Sequence, residues 1–137
     1  MSQVTAICLC GAASLEITAE AICHVHCHCL DCQRSHGAAY ISSVIFPAAA
    51  VVVSGQLSTF VLQHTPRLRC AECGFHLFSE ILGPGLRSVN AYALPAGYFQ
   101  PQFHVQCQHA VHPIVDELPH YRGFPAAFGG SDEQVNW

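Results

Sequence analysis

Cys27-His28-Cys29-Leu30-Asp31-Cys32 places three thiols within six residues. Side chains at i, i+2 and i+5 cannot all pair with one another as disulfides without severe strain. They can converge on one metal ion if a strand ends near Cys29 and a turn brings Cys32 back. Thiolates are soft ligands that suit zinc or iron–sulfur chemistry. Three ligands from one loop leave a fourth position, and its occupant separates a structural site from a catalytic one.

The flanks of this loop set the fold class. Ile22 to His28 alternates and reads as a strand running into the thiols, and Leu30 to Ser35 reads as one helical turn closed by Gly37 in the left-handed conformation. Upstream, Val4 to Leu9 and Ser14 to Thr18 read as a hairpin. Downstream, Ala39 to Phe46 is β-branched and aromatic until Pro47, and Val51-Val52-Val53 and Leu57 to Gln63 flank Ser54-Gly55-Gln56, a hairpin signal. Arg67-Leu68-Arg69 leads to a further cysteine pair. His76 to Ile81 and Leu86 to Ala93 flank Gly83-Pro84-Gly85, and Phe103-His104-Val105 is a last short strand. The only helix-favouring run, Ala48-Ala49-Ala50, is too short to matter. Pro119 to Trp137 reads as an ordered arm laid over the body. Many short strands with regular turn signals imply one all-β domain over residues 1–137.

Composition narrows the function classes. The chain has 137 residues, half of them apolar, enough for a core without disulfides. No apolar run approaches the roughly 20 residues that span a membrane. Met1 to Ala6 lacks a basic region and a long apolar stretch, so it does not read as a secretory signal, and the cytoplasm is the expected location. Nine cysteines in that setting argue for metal rather than disulfides. All five basic residues are arginines (Arg34, Arg67, Arg69, Arg87, Arg122), and their scatter gives no basic stripe for nucleic acid. Neither a nucleic acid nor a membrane is an expected partner; a homodimer is allowed without being required.

Two cysteine pairs are each followed by glycine: Cys8-Leu9-Cys10-Gly11 and Cys70-Ala71-Glu72-Cys73-Gly74. A tight turn there lets backbone N–H groups point at the sulfurs. Cys8, Cys10, Cys70 and Cys73 thus read as a closed four-sulfur zinc site with a structural role. Cys27, Cys29 and Cys32 remain as a second site. Either Cys23 or a nearby histidine completes it into another inert site, or its fourth position stays open to water or substrate; spacing alone leaves both readings standing. His24, His26 and His28 point one way along a strand, where histidines are more often packed than ligating. Cys23 and Cys107 read as buried thiols. Arg34 is placed either to meet a substrate carboxylate or to sit in solvent.

Taken in order, Cys8-Leu9-Cys10-Gly11, Cys27-His28-Cys29-Leu30-Asp31-Cys32-Gln33-Arg34-Ser35 and Cys70-Ala71-Glu72-Cys73-Gly74-Phe75-His76-Leu77-Phe78 resemble the glutathione-dependent formaldehyde-activating enzyme family, which includes the centromere protein V relatives. Weaker matches continue through Pro101-Gln102-Phe103-His104-Val105 and Asp116-Glu117-Leu118-Pro119. The resemblance implies a β-tent, two antiparallel sheets joined at an angle, with two zinc ions per chain. It places Cys8, Cys10, Cys70 and Cys73 on the structural zinc and Cys27, Cys29 and Cys32 on the zinc assigned to catalysis. It further implies carbon–sulfur lyase chemistry, the reversible joining of glutathione and formaldehyde to S-hydroxymethylglutathione.

The expected chemistry follows from charge. A zinc ion held by thiolates still lowers the pKa of an incoming thiol, because thiolate is the form that coordinates. A glutathione-like thiolate then attacks an aldehyde carbon. His28, Asp31 and His36 are the titratable candidates for moving the proton, and Arg34 and Arg122 the candidates for gripping a glutathione carboxylate. Two rivals are a zinc-stabilised thiol carrier or protein-binding module that turns over nothing, and a redox sensor built on Cys27, Cys29 and Cys32.

Overall fold

The computed structural model describes residues 3–137. Ten strands carry the fold: β1 (Val4–Ile7), β2 (Ser14–Ile17), β3 (Cys23–Cys27), β4 (Ile41–Pro47), β5 (Val51–Ser54), β6 (Leu57–Leu62), β7 (Thr65–Cys70), β8 (His76–Ile81), β9 (Leu86–Asn90) and β10 (Phe103–Val105). One α-helix, α1 (Leu30–His36), and four short 3-10 turns complete the described elements, one of the turns over Ala48–Ala50. The all-β reading holds. No helix among the described residues is long and apolar enough to cross a membrane.

Strands β1, β2 and β5 form a three-stranded antiparallel sheet, with Leu15 opposite Ala6 on one side and Val53 on the other. The second sheet runs β10-β3-β4-β9-β8-β7-β6. Its β6–β7–β8–β9 portion is antiparallel, whereas β10 lies parallel to β3, pairing His104 with His26 and Val105 with Cys27. That parallel pair is an addition to the expected antiparallel sheets.

The chain divides into two compact units, each assembled from separated segments. The first comprises residues 1–23 and 44–99 and contains the apolar core. Alternation on β2 sends Leu15 and Ile17 inward, where they join Val44, Phe46, Leu77, Phe78 and Val89, all fully buried. Burying side chains of this size contributes about 1.5–3 kcal/mol each. The second unit comprises residues 24–43 and 100–137. Its body is β3, β10 and the start of β4, with α1 attached. The arm from Pro119 onward is ordered through a parallel bridge of His120 to His104 and an antiparallel bridge of Tyr121 to Gln134.

The Ser54-Gly55-Gln56 signal is where the local reading fails. β5 pairs with β2 and β6 with β7, so the segment joins two different sheets and closes no hairpin. Gly55 is nonetheless required: its φ is +94°, and a Cβ there would overlap the Ala12 carbonyl oxygen. The Gly83–Gly85 signal does close a hairpin, β8 to β9. Gly55→Ala is expected to destabilise the protein by about 2 kcal/mol, read as a lower urea midpoint at unchanged slope.

Candidate metal centre

The four-sulfur group grows from two glycine turns of the first unit. Cys8 donates its N–H to the Ala13 carbonyl, and Gly11 turns at φ +79° to donate to Cys8 O. Around the second pair, Cys70 N–H donates to Phe75 O and Gly74, at φ +77°, donates to Cys70 O. A left-handed φ is cheap only for glycine, which is why this residue follows each pair. The turns aim amides at sulfur: Ala13 N–H donates to Cys8 Sγ at 3.3 Å and Glu72 N–H to Cys70 Sγ at 3.4 Å. Cys10 Sγ stands 3.7 Å from both Cys8 Sγ and Cys70 Sγ, and Cys73 completes the group.

Those separations test the fit to zinc. Four sulfurs at ~2.3 Å from a tetrahedral ion lie ~3.8 Å apart. A disulfide needs ~2.05 Å. The 3.7 Å spacings match the first geometry and exclude the second. Burial raises the Cys8 thiol, but the Ala13 amide and neighbouring sulfurs outweigh it and bring it down to about 6. Cys73 is also lowered, chiefly by the Phe75 amide. For Cys10 the Ala12 amide works downward, yet burial and the adjacent sulfurs push it up to about 12. Such a cluster accommodates several thiolates only with a cation among them.

The trio lies wholly in the second unit. Cys27 ends β3, Cys29 caps α1 by accepting the Cys32 N–H on its sulfur at 3.1 Å, and Cys32 is buried in the first turn of that helix. Gly37, at φ 61°, ends the helix by donating to Gln33 O, so it runs two turns where one was expected. Cys32 Sγ is 3.7 Å from Cys27 Sγ, again the edge of a zinc tetrahedron. The Cys29 and Cys32 sulfurs, followed by burial, drive the Cys27 thiol well above its ordinary value. The donor set and spacing therefore fit zinc. Among the described residues no fourth Cys, His, Asp or Glu joins the trio within 4.8 Å of all three sulfurs.

Gln33, which the sequence reading passed over, secures the loop. Its Nε2 donates to both His28 O and His109 O at 2.8 Å, tying α1 to the end of β3 and to the segment after β10. His28 is 1% exposed, and its Nε2 lies 2.9 Å from His104 Nδ1. His104 Nε2 in turn lies 2.7 Å from Asp116 Oδ2. Burial raises the Asp116 carboxyl, but the His104 hydrogen bond and the Leu118 amide outweigh it and hold the group ionised. An ionised carboxylate only accepts, so in this arrangement His104 donates from Nε2 and presents a lone pair at Nδ1. His28 then donates from Nε2 and keeps its own lone pair at Nδ1, a buried nitrogen with no hydrogen-bond partner among the described residues.

The other expected residues are distributed unevenly. Asp31 is half-buried in the first turn of α1 and makes no hydrogen bond or ion pair among the described residues, and His36 occupies the last turn. Arg34 is exposed on the same helix. Arg122 pairs with Glu133 at 3.2 Å. His24 accepts the Gln100 N–H, and His26 shares a 2.9 Å hydrogen bond with Ser42 Oγ. Cys23 and Cys107 are buried, and burial raises their thiols to about 11 and about 12. The His104, Asp116 and His120 cluster carried no recognisable spacing.

Burial, joined by the neighbouring His104, holds His26 and His28 down to about 4 against an ordinary 6.5. Between those values the unfolded chain takes up protons that the folded chain refuses, so stability falls as pH drops from 6.5 toward 4. Denaturation at fixed zinc across that window should show His26→Asn taking up about one proton fewer on unfolding than the wild type.

Comparison with known proteins agrees with this geometry. The pattern describing the glutathione-dependent formaldehyde-activating enzyme matches residues 3–116. Among solved structures, a Rhodobacter sphaeroides protein is similar at 20% identity and a TM-score of 0.56, covering 67% of this chain and 88% of its own. That similarity shows a shared fold. No curated protein matches the chain. With the match spanning all three cysteine motifs, the chain belongs to the glutathione-dependent formaldehyde-activating enzyme family.

Proposed function

We propose that this protein is a zinc-dependent carbon–sulfur lyase that reversibly adds glutathione, or a similar thiol, to formaldehyde or a related aldehyde. The observation that carries the reading is a trio of sulfurs, Cys27, Cys29 and Cys32, spaced for zinc and with no fourth Cys, His, Asp or Glu joining them among the described residues. The family's description supports the thiol and the aldehyde. Zinc held by the trio supplies one thing: it favours the thiolate form of an incoming thiol. The four-sulfur group would hold a second ion that only braces the first unit.

The rest belongs to the chain. The Cys32 amide holds the Cys29 sulfur, and Gln33 fixes the loop by two carbonyls, so the trio is pre-shaped before ligand arrives. His28 stays neutral at ordinary pH and stands between Cys27 and Cys29 in the sequence, which makes its imidazole the candidate for moving the proton that a thiol gives up. As the carbon–sulfur bond forms, the aldehyde oxygen gains the electron pair of its C=O bond. Return of the proton from His28 to that oxygen completes an S-hydroxymethyl product, and the reverse sequence releases aldehyde. His104 and Asp116 orient the His28 ring throughout. Arg34 is the exposed cation of this segment for a glutathione carboxylate, ahead of Arg122 with its Glu133 pairing. Reduced thiols and the reaction itself fit a cytoplasmic location.

Exchange between free and thiol-bound formaldehyde, followed by NMR with glutathione, is the test. The wild type should exceed the spontaneous rate. Cys29→Ser should fall to that rate, keep its fold and lose one of two zinc ions per chain. Cys70→Ser should lose the other ion and unfold. Wild-type exchange at the spontaneous rate would instead support a thiol carrier without turnover.

A further inference from the structure

We infer that His104, Asp116 and His120 form a metal site separate from both cysteine groups, taking a borderline divalent transition-metal ion such as zinc or cobalt(II). One donor atom from each residue lies within 4.8 Å of the others. Asp116 spans the pair, with Oδ2 2.7 Å from His104 Nε2 and Oδ1 2.9 Å from His120 Nε2. The imidazole rings are 4.6 Å apart. Two imidazoles and a carboxylate suit zinc, cobalt, nickel or iron(II) better than the hard cations, which prefer all-oxygen shells.

Simple hydrogen bonding to Asp116 does not account for His120. This residue is only 6% exposed, and its Nε2 is buried. Although a carboxylate oxygen is 2.9 Å away, it lies off the N–H direction, and Nε2 has no hydrogen-bond partner among the described residues. A ring nitrogen placed beside a carboxylate without donating to it is the arrangement of a lone pair converging on a third body. With an ion on Nε2, the His104 proton sits on Nδ1 and is donated to His28 Nε2, 2.9 Å away, so the ring is braced through its other nitrogen.

Trp137 lies 4.8 Å from the His120 ring and 6.2 Å from His104, and Tyr40 is 6.3 Å from His104, so aromatic faces replace water on that flank. Asp116 is 32% exposed and gives the entry path.

Titrating protein that holds two zinc ions per chain with cobalt(II), alone and without substrate, tests the site. The expected result is one cobalt per chain with visible d–d absorption and no sulfur-to-cobalt charge-transfer band. His120→Gln and Asp116→Asn, each checked for native circular dichroism, should weaken binding about tenfold or more. Cys29→Ser should retain the same cobalt spectrum, which separates this site from the proposed zinc of the trio. Absence of cobalt binding, a thiolate charge-transfer band, or unchanged affinity in a folded His120→Gln protein overturns the inference.

Discussion

Sulfur atoms in near van der Waals contact cannot all be anionic in a buried setting unless a cation sits among them, and both cysteine groups are built at that distance. Local backbone geometry enforces it. Glycine turns set the four-sulfur group, and a helix start sets the trio. Backbone amides aimed at the sulfurs of Cys8, Cys70 and Cys29 hold them at these separations. The chemistry proposed for the chain and the cohesion of its first unit both descend from this one constraint.

The two groups differ in how they are assembled. The four-sulfur group joins residues sixty positions apart, from the β1–β2 turn and the β7–β8 turn, and so closes a long loop of the first unit. The trio is local, spanning the end of β3 and the first turn of α1, and closes almost nothing. Loss of an ion from the first should therefore cost fold, and from the second mainly chemistry.

Legibility in the sequence followed locality. Cys27, Cys29 and Cys32 were readable because their spacing is the site, and Gly11 and Gly74 because a tight turn has a residue signature. Most strands were readable within a few residues of their ends. The β5–β6 junction was not, since Ser54-Gly55-Gln56 serves a sheet change as well as a hairpin, and strand pairing decides between them. The grouping of His104, Asp116 and His120 was not legible for a related reason. A parallel pairing of β10 with β3 has no turn of its own to announce it, yet it sets His104 beside His26 and lets its ring reach His28. Gln33 escaped notice because its value lies in two carbonyls that only the fold supplies.

The backbone passes between the two compact units after residues 23, 43 and 99, so neither is encoded by a contiguous stretch. On a ribosome the triple-thiol loop emerges early, but its unit lacks β10 and the arm until the final third of this sequence has been made. For that interval the nascent loop is an unsheltered trio of soft nucleophiles. Early capture of an ion by the loop, ahead of its supporting strand, would shield it from oxidation while synthesis finishes.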